Sequence, residues 1–198
     1  MTKEQAYILG FIWADGWIRK SKYHNEIRVE CLKTDIDEIY PYFIKENPNW
    51  KIYCRNRSNR KPQARLNLVD KSLVLFLYNN DYTSNSSKPA SAILSHIPDK
   101  LKPYWFRGLI DGDGCWYYKD TLPRKRKFEI SSNYEQDWSY FTNLLDDLKI
   151  NYQYYQYESK KGNKSSRIEL GKKQNLITLG EYIYKDFNLY PLRIKKKI

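Results

Sequence analysis

In NEIRVECL (25–32) and PQARLNLV (62–69), apolar and polar side chains alternate residue by residue. In DIDEIYPYFIKE (35–46) and KSLVLFLYN (71–79), apolar positions recur every three to four residues instead. The first period is that of strands and the second that of helices. WIRKSKY (17–23) and WKIYCRNR (50–57) read as two further strands, and the stretch that begins YILGF (7–11) reads as a leading helix. The order helix–strand–strand–helix–strand–strand–helix then repeats. WFRGLIDGDGCW (105–116) gives the helix, and CWYYK (115–119) and KFEISS (127–132) the first strands. YEQDWSYFTNLLDDL (134–148) gives the middle helix, YQYYQYE (152–158) and SRIELG (166–171) the last strands, and NLITLGEYIYKDF (175–187) the closing helix. The pattern predicts an α+β protein made of two αββαββα repeats, over 1–80 and 103–198. The Ser- and Pro-rich stretch 81–102 is read as the linker between them.

The strands divide into an apolar and a polar face. Lys51, Tyr53, Arg55 and Arg57 fall opposite Ile52 and Cys54, and Gln63, Arg65 and Asn67 fall opposite Ala64, Leu66 and Leu68. One apolar face per strand predicts antiparallel sheets backed by helices on one side. The other face is long-chained and cationic, and all four hairpin tips, KSKYHN, RNRSNRK, LPRKRK and SKKGNK, are basic.

Charge gives that pattern a partner. Lys and Arg number 35 against 23 Asp and Glu, a formal charge of +12, which attracts polyanions and makes nucleic acid the leading partner. A basic β-ribbon fits the major groove and reaches base edges with Arg, Lys, Asn and Gln. In the first repeat the candidates for DNA contact are Arg19, Lys22, Arg28, Lys33, Lys51, Tyr53, Arg55, Arg57, Arg65 and Asn67. In the second they are Arg124, Arg126, Lys127, Lys160, Lys161 and Arg167. No apolar run approaches the roughly 20 residues of a membrane span. Cys31, Cys54 and Cys115 are widely spaced, with no C-x-x-C pair, which predicts neither a zinc site nor a disulfide framework. Reduced thiols and the lack of a leader-like segment predict an intracellular protein.

The duplicated helix carries the sharpest chemistry. Ile8, Phe11 and Ile12 form one helical face in the first copy, and Phe106, Leu109 and Ile110 do so in the second. Gly10 and Ala14, and likewise Gly108 and Gly112, make small stripes one turn apart. Such stripes let helix backbones approach closely, so the two helices are expected to pack on each other. Each helix then stops at Asp–Gly: Asp15–Gly16 and Asp113–Gly114. A carboxylate at a helix C-terminus faces the negative end of the macrodipole, and two brought together repel. A hard divalent cation relieves both strains, and Mg²⁺ suits such oxygen donors.

ILGFIWADG (8–16) and FRGLIDGDG (106–114) resemble the LAGLIDADG motif of homing endonucleases, present twice. With the doubled αββαββα pattern, the resemblance covers nearly the whole chain. It implies a monomer of two pseudo-twofold related repeats, with the motif helices as the interface and two saddle-shaped sheets astride DNA. It further implies Mg²⁺-dependent cleavage of both strands of a long, near-asymmetric site across the minor groove, leaving short 3′ overhangs, with Mn²⁺ as a substitute ion. By position, Asp15 and Asp113 are implied as the metal-binding carboxylates and the main-chain carbonyls of Ala14 and Gly112 as further ligands. A lysine after the fourth strand of each repeat, near the attacking water, is implied at Lys71 and at Lys173, with Lys172 competing for the second role. The sequence departs from the motif at Trp13 and Arg107, which leaves both acidic positions intact and bears on helix packing. The alternatives on the same fold are a maturase that binds intron RNA and assists splicing, and a DNA-binding protein that does not cut.

Overall fold

A computed structural model describes residues 1–22, 25–55, 61–82, 90–117, 127–133, 135–158 and 162–185. The first helix, α1 (Lys3–Asp15), opens on a capping box: the Thr2 side chain accepts from the Gln5 amide at 3.0 Å, and the Gln5 side chain accepts from the Thr2 amide at 3.0 Å. It runs directly into β1 (Gly16–Lys20), followed by β2 (Asn25–Leu32), α2 (Lys33–Glu46), β3 (Lys51–Arg55), β4 (Gln63–Val69) and α3 (Lys71–Asn79). The short helix α4 (Ser91–Ser95) and a 3₁₀ turn (Asp99–Leu101) lead to α5 (Lys102–Asp113). The second repeat continues with β5 (Gly114–Tyr117), β6 (Lys127–Asn133), α6 (Ser139–Asp147), β7 (Gln153–Glu158), β8 (Lys164–Leu170) and α7 (Lys173–Ile183).

The two antiparallel sheets share one topology, β1-β2-β4-β3 and β5-β6-β8-β7. Their registers also correspond. Gly16 pairs with Val29 as Gly114 pairs with Ile130, and Tyr53 pairs with Arg65 as Tyr155 pairs with Arg167. The alternation places Ile27, Val29, Leu66 and Leu68 in the core of one repeat, and Phe128, Ile130, Ile168 and Leu170 in that of the other. A single apolar cluster joins these faces through α1 and α5. The connection also contributes to it, since Tyr82, Ala90, Ile93, Ile97 and Leu101 are all buried. No helix of the described residues is long and apolar enough to cross a membrane.

Two expectations are corrected. Helix α6 starts at Ser139 and not near residue 134, because the Asp137 side chain takes the Ser139 amide at 2.9 Å and Trp138 turns inward, its indole N–H donating to Ser166 Oγ at 2.9 Å. Cys54, expected on the apolar face beside Ile52, is exposed, because β3 is an edge strand with little packed beneath its end.

Candidate functional site

The two motif helices run parallel and in contact. A Cβ on Gly10 would lie 1.9 Å from the Trp105 carbonyl oxygen, and one on Gly108 would lie 2.1 Å from that of Tyr7. Farther along, a Cβ on Gly112 would meet Ala14 Cβ at 2.4 Å and Asp15 Oδ2 at 3.4 Å. Gly10, Ala14, Gly108 and Gly112 thus form the helix contact, and the helix ends lie side by side. Asp15, half-buried, and Asp113, exposed, are brought together at the point where both sheets begin.

The glycines that follow have a role different from the usual helix stop. Gly16 (φ −78°, ψ 152°) and Gly114 (φ −80°, ψ 147°) are extended, a conformation open to any residue. What requires glycine is space: a Cβ would stand 2.2 Å from the Ile12 carbonyl oxygen in one case and 2.6 Å from that of Ile110 in the other.

Two tyrosines that the sequence reading passed over stand behind this site. The buried Tyr82 hydroxyl donates toward the carbonyls of Ile12, at 3.1 Å, and Gly16, and so ties down the last turn of α1. Burial, reinforced by the charges of Asp113 and Asp15, pushes this phenol far above its ordinary pKa and keeps it a donor. Tyr184 is its counterpart. Each tyrosine lies eleven positions past the first residue of the preceding helix, Lys71 or Lys173, a recurrence legible in the sequence. Tyr184 donates to Asp111 Oδ1 at 3.2 Å. Its own pKa is raised by burial and then by the Asp111 charge.

Asp111 belongs to a buried ion pair with Arg107, Nε to Oδ2 3.7 Å, with both side chains essentially without solvent exposure. The Arg107 guanidinium lies over the Tyr184 ring, 4.9 Å from its centroid. At the position matching Asp111 the first repeat has Trp13, packed edge-on against Tyr82 at 5.1 Å. The motif departures at Trp13 and Arg107 are therefore the two repeats' different ways of filling the space behind the aspartates.

The lysines expected near the attacking water stand elsewhere. The Asp70 amide donates to the Asn25 carbonyl at 3.1 Å, and Asn25 pairs with Lys20, at the end of β1 remote from Asp15. That end is roughly 14 Å along the strand from Gly16. Lys71 starts α3 there, and the helix carries the chain back to Tyr82. Lys173 starts α7 in the same way, past the Phe128–Leu170 pair. Lys71, Lys172 and Lys173 are exposed, and none bonds either aspartate.

Of the residues expected to contact nucleic acid, Arg19, Arg28, Lys51, Tyr53, Arg55, Arg65 and Asn67 share the outward face of the first sheet, and Lys127 and Arg167 that of the second. The same faces carry carboxylates. Arg28 pairs with Glu26 at 2.6 Å and Arg55 with Glu30 at 3.4 Å, while Lys127 bonds Glu129 at 2.8 Å and Glu169 at 3.2 Å. Lys22 is exposed just past β1, and Lys33 is drawn onto α2 by Asp37, at 2.6 Å. Arg57, Arg124, Arg126, Lys160 and Lys161 lie outside the described residues.

The fold has counterparts among solved structures. A mesophilic variant of the homing endonuclease I-DmoI aligns over 99% of this chain and 98% of its own, with TM-score 0.63 and 15% identity. The I-LtrWI LAGLIDADG homing endonuclease, bound to target DNA, aligns over 96% of this chain and 85% of its own, with TM-score 0.55 and 14% identity. The fold is that of the LAGLIDADG homing endonucleases. Another example of this fold, I-WcaI bound to its DNA recognition sequence, aligns over 99% of this chain and 86% of its own, with TM-score 0.62 and 20% identity. I-DmoI variants with this LAGLIDADG fold have been solved with target DNA in the presence of manganese or magnesium. Among curated sequences, a DNA polymerase of Methanocaldococcus jannaschii is 27% identical over 159 residues, 79% of this chain, which spans 9% of the polymerase's length. No family model matches the chain.

Proposed function

We propose that the chain is a site-specific endonuclease that hydrolyses both strands of a long, near-asymmetric double-stranded DNA site. The observation that carries this reading is the meeting of Asp15 and Asp113 at adjoining helix ends, between two sheets whose outward faces are polar and cation-bearing. The solved proteins of the same fold, some bound to target DNA, support it.

The donor set fits Mg²⁺ or Mn²⁺. No cluster of three or more His, Cys, Asp or Glu is found among the described residues. Two carboxylates at one place, with helix-end carbonyls beside them, match a cation that keeps several waters and takes its other ligands from phosphate. Asp15 and Asp113 would hold it, with the carbonyls of Ala14 and Gly112. When bound, the ion polarises the phosphate and acidifies a water.

The chain's own residues do the rest. Tyr82 fixes the turn that presents Asp15. The sheets hold the duplex in register, so that one phosphate of each strand meets each helix end and the two cuts leave short 3′ overhangs. Lys71 and Lys173, at the outer ends of their sheets, serve by neutralising backbone phosphates. Proton transfer falls to ordered water, since His96, the histidine among the described residues, packs against Phe76 and not in the site.

The test is cleavage of a randomised duplex library with Mg²⁺, beside EDTA and the variants Asp15→Asn and Asp113→Asn. Discrete double-strand cuts lost by at least about 10²-fold in each variant, with duplex binding retained, are expected. Duplex binding without cuts would favour a non-cleaving DNA-binding protein. Tight binding to structured intron RNA without cuts would favour the splicing role.

A further inference from the structure

Most outward positions that correspond between the two sheets carry different side chains. Arg28 matches Glu129, Asn67 matches Glu169, and Arg55 matches Tyr157. One cross-strand pair is the same in both: Tyr53 with Arg65, and Tyr155 with Arg167. Each guanidinium lies over its tyrosine ring, at 5.4 Å in the first sheet and 5.3 Å in the second. In both, Nε is buried and without a hydrogen-bond partner among the described residues, and Arg167 Nη1 donates to Glu129 at 3.3 Å. Both pairs also lie one register step from the row of Gly16 or Gly114, and hence near the aspartates and the centre of the molecule.

We propose that Arg65 and Arg167 read a guanine at mirror-related positions of the two half-sites, close to the cut. The target would then be symmetric at this base pair and asymmetric around it. The inference rests on the duplex-DNA reading above.

Three observations favour a base edge over a phosphate. Contact with a tyrosine ring restricts each guanidinium, which suits bidentate recognition of guanine O6 and N7 more than a diffuse phosphate contact. A carboxylate-bearing residue also neighbours each arginine. Glu30 is the cross-strand partner of Arg65, and Arg167 lies 3.3 Å from Glu129 and 3.7 Å from Glu169. These repel phosphate and leave an uncharged acceptor pair welcome. A fork of five donors can keep one N–H on a carboxylate and offer others to the base. Finally, a duplex lying across two repeats of equal register presents mirror-related bases to equivalent side chains, so identical readers select identical bases.

The test is selection of bound duplexes from a randomised library in EDTA, which needs no cleavage, with the native chain and with Arg65→Ala and Arg167→Ala. Aligned sequences from the native chain should show a mirrored guanine pair preferred about 10- to 100-fold over other bases. Arg65→Ala should erase the preference in one half-site only, and Arg167→Ala in the other. If an alanine variant fails to fold, Arg→Met keeps the stem while losing the donors, and should erase the same position. A native target without mirrored guanines, or variants that weaken all sequences equally, would overturn the inference while leaving DNA binding in place. Failure of the native chain to bind any duplex would overturn both.

Discussion

At the end of α1 the hydroxyl of Tyr82 is spent on main-chain carbonyls, and its ring packs edge-on against Trp13. At the end of α5 the corresponding Tyr184 donates to a buried carboxylate, Asp111, which is itself paired with Arg107. The surfaces these ends present are nonetheless the same, an aspartate followed by a glycine pressed against a helix carbonyl. Two copies of one local structure have kept what faces the cleft and changed what supports it. The support is thus a packing problem with more than one solution, whereas the Asp–Gly pair answers to geometry and charge at the site.

The sharpest way to break this comparison is at the ion pair. Removing one partner of a buried pair strands the other charge, at a cost of about 3–5 kcal/mol, while replacing both with apolar residues is often near neutral. Arg107→Leu is therefore expected to lower unfolding stability by about 3–5 kcal/mol. Adding Asp111→Leu should recover most of the loss, the remainder being the acceptor that Tyr184 no longer has. Urea unfolding of both variants measures this. A double variant no more stable than the single one would show that the ionic support is not interchangeable with the apolar support of the first repeat.

A smaller effect separates the tyrosines. Tyr82→Phe leaves buried carbonyls without their side-chain donor, and Tyr184→Phe removes one bond from a carboxylate still held by Arg107. Each is expected to cost about 1–2 kcal/mol in urea unfolding. Only Tyr82→Phe acts on the backbone that presents Asp15, so it alone should also slow DNA cleavage, by about 10-fold in single-turnover assays at saturating metal. Equal slowing by both variants would mean that the supports act on the cleft alike.

The sequence carried the architecture because both of its periods are strong and occur twice. Strand β2 and helix α3 appear with their predicted bounds, 25–32 and 71–79. The small stripes foretold that the motif helices would touch, since only close packing explains Gly10 and Gly108 at helical spacing. Other features depend on tertiary context. The start of α6 turned on the bond from the Ser139 amide to the Asp137 side chain, which competes locally with the helical period. The lysine positions were carried over from a resemblance, and only the register shows them at the far end of β1 and β5. Glu26, Glu30, Glu129 and Glu169 lie in the alternating pattern itself, but only the register sets them beside the cations they pair with. The recurrence of Tyr82 and Tyr184 was readable, yet nothing about a lone tyrosine after a helix marks it until its hydroxyl is seen on the motif helix.

Those carboxylates set the smallest and most discriminating effect, on the sheets themselves. The outward face of the first sheet carries Arg19, Arg28, Lys51, Arg55 and Arg65 against Glu26 and Glu30, while that of the second carries Lys127 and Arg167 against Glu129 and Glu169. A cation that neutralises a phosphate releases a counterion and steepens the salt dependence of binding by about one unit of logarithmic slope. Lys51 and Arg19 make no ion pair among the described residues, whereas Lys127 is already neutralised by two glutamates. Lys51→Gln or Arg19→Gln is therefore expected to flatten the slope of log Kd against log salt by up to about one unit, and Lys127→Gln by well under half of that. Fluorescence anisotropy on one duplex across a salt series measures all three. Equal flattening would mean that DNA displaces the glutamates from Lys127 and that the sheets bind the backbone alike. Unequal flattening would assign most of the electrostatic grip to the first repeat and leave the second, with Tyr117, Tyr155, Tyr157 and Gln153 on its face, to discriminate by contact with the bases.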